Sequence, residues 1–211
     1  MSVKDYETRL YVKDNLSIGK SLVLKNDQSH YIRSVLRLKE NSQIALFNGE
    51  EGEWLSTIKT IAKKFVELEV IEQIKLQEVI SDIWLVFAPI KRTRIDYLAQ
   101  KATELGAGAL WPIFTKYTSV SRVNAERLRS NSIEAAEQSG RLTVPKILDP
   151  IDFDTLIEKW PHDRDLFCLD ETGRGAPILD AFRSSHQQAS GLLIGPEGGF
   201  AKEELDQVDK L

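Results

Sequence analysis

Apolar and polar positions follow two different periods along this chain, and the change falls near residue 72. Before it, short apolar runs at residues 9–12, 22–24, 44–47, 54–61 and 65–71 are separated by turn residues, which predicts strands. Val66, Leu68 and Val70 alternate with Glu67 and Glu69, so the last of these strands has one dry and one wet face. Asn48, Gly49 and Gly52 fit a hairpin loop, and Lys63-Lys64 fits a tight surface turn. One helix interrupts the strands. Asn26 or Asp27 is its expected N-cap, and Ile32, Val35 and Leu36 its expected buried side.

From about residue 80 the pattern alternates strand with helix, which predicts a largely parallel sheet. Residues 83–87 read as a strand. Residues 94–105 read as a helix with Ile95, Leu98, Ala102 and Leu105 on the inner side, stopped by Gly106. Residues 110–114 form a second strand, in which Pro112 predicts a bulge or an edge. A helix capped by Asn124 runs to about Gln138 and stops at Gly140; residues 156–160 are helical, 166–169 a buried strand, 178–182 a short helix and 192–194 the last strand. A final helix starts after Phe200, and residues 73–81 read as a linker. The expected class is α/β, with a compact β-barrel domain at 1–72 followed by an α/β domain at 73–211.

Composition narrows the function classes. At 211 residues, with 42% apolar and 28% charged content, the chain suits one large or two small globular domains. Its longest apolar run, residues 83–90, is too short to span a bilayer, and Lys4, Asp5, Glu7 and Arg9 stand where a signal peptide needs an apolar core, so a cytoplasmic protein with no membrane partner is expected. Cys168 stands alone in an apolar stretch and reads as packing. Three histidines and one cysteine offer no metal-ligand spacing, so no metal is expected. A net charge of −4 disfavours a protein that coats nucleic acid through bulk electrostatics, and any polyanion site must be local.

Two local candidates exist. His30, Arg33 and Arg37 recur at helical spacing with Lys39 just beyond. Lys91, Arg92 and Arg94 follow the first strand of the second half, and Lys101 lies on the same stretch. Either set alone is equally a solvated face; the two together point to a nucleic-acid path. Lys101 and Glu104 are also placed for an i, i+3 ion pair.

The strongest local pattern is the run from Leu192 into Gly195-Pro196-Glu197-Gly198-Gly199-Phe200 and an acid-rich helix start. Its glycines permit positive φ and let a ligand approach main-chain groups, while Pro196 fixes one φ. In an open α/β sheet ligands sit at the carboxyl ends of strands, where this turn falls, although the same pattern is also an ordinary connection. No P-loop is present, and the glycines at 106 and 108 follow a helix instead of a strand, which disfavours a Rossmann site. Ser139 lacks the context of a serine hydrolase. Gln138 and Arg141, just past a helix end, fit either a cap and a surface charge or a substrate contact.

Four stretches, His30-Tyr31-Ile32-Arg33-Ser34-Val35-Leu36-Arg37, Gln100-Lys101-Ala102-Thr103-Glu104-Leu105-Gly106, Glu137-Gln138-Ser139-Gly140-Arg141 with Pro145, and Leu193 through Phe200, resemble in order and spacing the RsmE-type 16S rRNA uracil-N3 methyltransferases of the SPOUT, or trefoil-knot, superfamily. The resemblance implies a PUA-like RNA-binding barrel at 1–72 and a SPOUT methyltransferase domain at 73–211 that binds S-adenosylmethionine and forms a homodimer. It implies cofactor contacts from Leu169, Glu171, Ile194, Gly195, Pro196, Glu197, Gly198, Gly199 and Phe200, and contacts with 16S rRNA from His30, Arg33, Arg37, Lys91, Arg92, Lys101, Gln138 and Arg141. Methyl transfer to uracil N3 requires loss of a ring N–H proton; Arg141, Lys91 or Arg92 is the candidate to stabilise the anion and Glu197 or Glu104 the candidate base, with Arg141 and Glu197 as the expected catalytic residues. The family pattern continues into a second cofactor loop, Leu-Gly-x-Arg-Ile-Leu-Arg-x-Glu-Thr-Ala, that these 211 residues do not contain, so an incomplete knot with one cofactor wall is expected. The alternatives are a non-catalytic RNA-binding protein and a SPOUT tRNA ribose methyltransferase.

Overall fold

Two long antiparallel strands, β4 (Glu53–Ile61) and β5 (Phe65–Lys75), form the spine of the first sheet, joined by the Lys63-Lys64 turn that Ala62 N–H closes onto Phe65 O at 2.9 Å. With β1 (Arg9–Tyr11), β2 (Ser21–Lys25) and β3 (Gln43–Phe47) they make a five-stranded sheet in the order β1-β3-β4-β5-β2, parallel only between β1 and β3. The computed structural model describes residues 6–79, 81–173, 175–185 and 189–211. It contains two units: residues up to Val79 with Ala136–Thr143, and Ile80–Ala135 with Val144–Leu211.

In the first unit, Val66, Leu68 and Val70 turn inward on alternate positions and meet Leu22, Leu24, Ile44, Leu46 and Ile58. Register shifts at Glu53/Trp54, Leu55/Ser56 and Ile58/Thr60 bend the β4/β5 ladder around that core. The ladder runs on to Lys75, paired with Glu53, so the expected linker is shorter than residues 73–81. Gly52 explains part of this: a Cβ there would collide with the Lys75 carbonyl.

The expected helix differs from its pattern. It begins as α1 (Asn26–His30) with Lys25 as N-cap, not Asn26 or Asp27, and continues as a π-helical turn over Tyr31–Val35 closed by Leu36 N–H on Tyr31 O at 2.9 Å. The wider turn rotates the later residues: Ile32 is buried and Leu36 packs at the core edge, but Val35 is 59% exposed. Arg37 ends the segment in the left-handed region at φ 55°, so the positive residues do not continue as one helical stripe.

A charged cluster is also buried in this unit. Glu53 is fully buried and ion-pairs with Arg9 and with Lys75, the latter at 2.9 Å. Arg9 also donates to the carbonyls of Ala136 (2.8 Å), Glu137 (2.9 Å) and Arg141 (3.0 Å), in and just past the last turn of a helix.

The second unit is a six-stranded sheet in the order β10-β11-β6-β7-β8, with β9 also paired to β7, and all its ladders are parallel. Its elements are β6 (Ile83–Phe87), α2 (Arg92–Leu105), β7 (Ala109–Phe114), α3 (Ala125–Ser139), β8 (Lys146–Ile147), β9 (Ile151–Asp152), α4 (Phe153–Lys159), β10 (Arg164–Leu169), α5 (Ile178–Ser184), β11 (Ala189–Ile194) and α6 (Lys202–Val208). One layer of core packs Ile95, Ala99 and Ala102 of α2 with Leu128 of α3 on Phe87 and Leu110; the other packs Phe153, Leu156 and Trp160 on Val86, Ile113 and Leu193.

Three details correct the sequence pattern. Pro112 lies in a central strand, opposite Phe87 of β6; on its other side β8 pairs with residues 109–110 and β9 with 113–114, so Pro112 falls in the gap between two short partners. Leu105 is 82% exposed, because Ala99 and Thr103 complete the inner face of α2. Strand β10 is the sheet edge, so only Arg164 in it is buried and Leu169 is 40% exposed.

Candidate functional site

The chain leaves β6 toward β7 on one side, and β11 lies against the opposite side of β6. Such a reversal of strand order opens a crevice at the carboxyl ends of the strands. Phe87 and Ile194 end their strands as register partners, Leu169 and Ile194 do the same, and Ala88 N–H donates to Ile194 O at 2.9 Å. The turn of residues 195–200 begins at this level.

Two glycines of the turn, Gly195 and Gly199, are set by a neighbour. The Phe200 ring folds back over Gly195, so a Cβ at 195 would stand 2.8 Å from it. The Tyr117 Cβ would stand 3.4 Å from a Cβ at 198, and the Glu171 carboxylate occupies the space of a Cβ at 199. Gly199, at φ 70°, closes the turn by donating to Pro196 O at 2.9 Å. Pro196 and Gly199 are buried, whereas Glu197 and Gly198 are exposed.

The flanks are fixed as well. Glu204 accepts from Ala201 N–H (2.8 Å) at the start of α6 and from Lys116 N–H (2.7 Å), tying the turn to the segment after β7. Beside it, the Glu203 carboxyl is held below the usual carboxylate range by its own backbone amide and by Lys116, 3.5 Å away. Asp170 accepts from Thr172 N–H at 3.0 Å, which shapes the bend carrying Glu171. The result is an apolar ledge of Leu169 and Ile194, 40% and 36% exposed, next to turn backbone and one carboxylate. That combination suits a ligand with a flat apolar ring and polar edges.

The expected cofactor residues Leu169, Glu171, Ile194, Gly195, Pro196, Glu197, Gly198, Gly199 and Phe200 therefore lie on two adjacent strand ends and the bends that follow them. Tyr117, Lys116 and Glu204 join this neighbourhood; sequence spacing gave no hint of Tyr117 and Lys116 because they follow a different strand, β7, whereas Glu204 belongs to the acid-rich helix start read after the turn. Glu197 stands 3.7 Å from Arg94 in an exposed ion pair.

The basic candidates are dispersed. In the first unit His30 and Arg37 are exposed, and Arg33 donates to the carbonyls of Ala62 (3.3 Å) and Lys63, so one face of its guanidinium holds the β4–β5 turn. Arg141 belongs to the same unit; its carbonyl accepts from Arg9, and the exposed Gln138 precedes it. In the second unit Lys91 is exposed as the N-cap of α2, and the Arg92 side chain lies outside the described residues. Lys101 bonds Glu104 at 2.7 Å, a contact that raises its pKa and makes it the ion pair its spacing predicted. Glu104 is thereby engaged by Lys101, which removes it as a free base.

Among the described residues no group of three or more His, Cys, Asp or Glu side chains is arranged to hold a metal, and no helix is long and apolar enough to cross a membrane.

Comparison with known proteins adds an independent finding. The RNA methyltransferase domain family matches residues 77–211, and the RNA methyltransferase PUA domain family matches residues 24–71. The chain is 34% identical over 199 residues to the ribosomal RNA small subunit methyltransferase E of Rickettsia conorii, covering 94% of this chain and 81% of the relative. It is 28% identical over 209 residues to the protein of that name from Bacillus subtilis, covering 93% and 81%. The crystal structure of a ribosomal RNA small subunit methyltransferase E from Neisseria gonorrhoeae, bound to S-adenosyl methionine, superposes with a TM-score of 0.84 at 27% identity, covering 97% of this chain and 86% of that one.

Proposed function

The chain belongs to the ribosomal RNA small subunit methyltransferase E family, and from that premise we propose that it moves a methyl group from S-adenosylmethionine to N3 of a uracil in 16S rRNA. One observation carries this reading: the turn of residues 195–200 stands at the strand-order reversal with Glu171 against Gly199 and an apolar ledge beside it. The ledge fits an adenine ring, the turn backbone fits the polar edges of that ring, and the Glu171 carboxylate fits a ribose hydroxyl or an ammonium group.

When bound, S-adenosylmethionine supplies an electrophilic methyl whose sulfur departs as a neutral thioether, so no acid is needed from the protein. The work of the chain is to hold and orient, and well-oriented reactants gain about 7–11 kcal/mol of barrier lowering. Leu169, Glu171 and residues 194–200 are proposed to hold the cofactor. Glu197 is the proposed acceptor of the uracil N3 proton, and Arg94 stands 3.7 Å from it. Arg141 is proposed to stabilise negative charge on the uracil. His30, Arg33, Arg37, Gln138, Lys91, Arg92 and Lys101 are proposed RNA contacts, with Arg33 and Lys101 offering only the donors that Ala62, Lys63 and Glu104 leave over.

We further infer a PUA-like RNA-binding domain at 1–72 and a methyltransferase domain at 73–211, a cytoplasmic site of action, and a homodimer. The support for pairing is an apolar surface on α2, where Tyr97 is 62% exposed beside Leu98, Leu105 and Ile194. Leu105→Glu should then shift sedimentation from dimer to monomer.

The test of function is incubation of the chain with labelled S-adenosylmethionine and small ribosomal subunits that lack the methyl group. Label in 16S rRNA supports the reading; no transfer to any RNA overturns it.

A further inference from the structure

We infer that the cleft between the start of α2 and residues 119–128 is a binding site for the phosphate backbone of the substrate RNA, with Lys91 and Arg122 as its charged contacts and Ser119 and Ser121 as its hydroxyl donors. The inference rests on the rRNA methyltransferase reading, and no relative's name assigns anything to this cleft.

The cleft is open and has a volume of about 1090 Å³, just above the roughly 300–1,000 Å³ typical of small-ligand pockets. An open trough of that size suits a strand that passes through it better than a molecule enclosed on all sides. It lies on the carboxyl side of the sheet, because it is lined by the segments that follow β6 and β7.

Its chemistry is that of an anion site. Lys91 is exposed and caps a 14-residue helix, α2, whose N-terminus has no side-chain cap. The start of such a helix is the positive end of its dipole. Across the cleft Asn124 Oδ1 accepts from Arg127 N–H at 3.0 Å and starts α3, so a second long helix also begins at this trough. Helix starts are favourable places for phosphate, and here the cleft adds side chains of the right kind.

The balance of formal charge decides the sign. Lys91, Arg122 and Arg127 face Asp96 and Glu126, leaving the cleft one charge positive on a chain whose net charge is −4. Asp96 is already matched: Arg127 holds both its oxygens, at 2.8 and 2.6 Å, and Asn131 donates to it at 2.7 Å. Glu126 belongs to the first turn of α3, where the helix dipole compensates it. Lys91 and Arg122, by contrast, have no ion-pair partner among the described residues. Cations without ion-pair partners beside hydroxyls are what sugar-phosphate recognition uses, and such contacts fix register without reading sequence.

Filter binding of in vitro transcribed 16S rRNA across a salt series tests this, with Arg122→Gln, Lys91→Gln, Arg122→Lys and the wild-type chain compared. Arg122→Gln and Lys91→Gln should each weaken binding about 3–10-fold near 150 mM salt and reduce the log-log salt slope by about 0.7–0.9. Arg122→Lys should keep most of the affinity, and S-adenosylmethionine affinity by calorimetry should not move in any variant. Unchanged RNA affinity and slope in both Gln variants overturn the cleft site while leaving the methyltransferase reading intact. An Arg122→Lys loss as large as that of Arg122→Gln, or a lost cofactor affinity, means a structural role and also overturns it. A wild-type chain that neither binds 16S rRNA nor methylates it overturns the functional reading, and the inference with it.

Discussion

The carboxylate of Glu171 fills the space that a Cβ on Gly199 would occupy, so any other residue at 199 must push that carboxylate out of its present place between the bend after β10 and the turn after β11. Gly199 also has φ 70°, which adds about 1–2 kcal/mol of strain for any residue with a Cβ. If this contact shapes the cofactor surface, Gly199→Ala should weaken S-adenosylmethionine binding by about tenfold or more, near 1.4 kcal/mol, in calorimetry. Combining it with Glu171→Ala removes the collision and should recover part of the thermal stability but not the affinity. Unaltered affinity in Gly199→Ala would remove the turn from the site.

Arg9 joins a fully buried carboxylate to a helix end, and its replacement removes its bonds to both. Arg9→Met should lower stability by about 3–5 kcal/mol in urea unfolding, because Glu53 then stays buried against Lys75 alone. Arg9→Met with Glu53→Met should cost less than Arg9→Met by itself. A larger loss in the double variant contradicts the assignment.

Acid sensitivity has a local contributor in Asp152. Its side chain accepts from Thr155 N–H at 2.7 Å at the start of α4, and that bond holds its carboxyl below the usual range. A group whose folded pKa is depressed contributes stability that is present above its unfolded pKa and is lost as pH falls through the folded value. The Tm advantage of wild type over Asp152→Asn should therefore be largest near neutral pH and shrink below about pH 4. A difference that grows on acidification would reverse the sign of this account.

Much of the fold was readable because its signals are local. Val66, Leu68 and Val70 alternate as a half-buried strand must, Gly106 and Gly140 stop their helices in the left-handed region, and the Lys63-Lys64 turn closes as expected. What the pattern missed depends on partners distant in sequence. The π turn over Tyr31–Val35 turns Val35 outward, Pro112 is tolerated in a central strand by a gap between β8 and β9, and Leu105 is exposed although its spacing matches Ile95 and Ala102. At the site, the glycine turn was visible in the sequence, but the crowding at Gly195 and Gly199 comes from Phe200 and Glu171. Arg33 reads in the sequence as part of a positive stripe, yet two carbonyls of a distant hairpin turn hold it.

Glu197 and Arg141 separate by kinetics. If Glu197 accepts the uracil proton, Glu197→Gln should lower kcat about 10²–10⁴-fold, a much larger change than any it makes in S-adenosylmethionine affinity. Arg141→Ala should lower kcat without changing cofactor affinity. Should Glu197→Gln keep its kcat, the carboxylate serves only its 3.7 Å contact with Arg94. Arg94→Ala should itself change stability by less than about 1 kcal/mol, because that pair is exposed.

The most direct measurement is mass-spectrometric nucleoside analysis of 16S rRNA from unmethylated small subunits after reaction with this chain and S-adenosylmethionine. The account predicts a single new product, uridine methylated at N3, absent when the cofactor is withheld. Methylation on a ribose hydroxyl, or on RNA other than 16S rRNA alone, would contradict it.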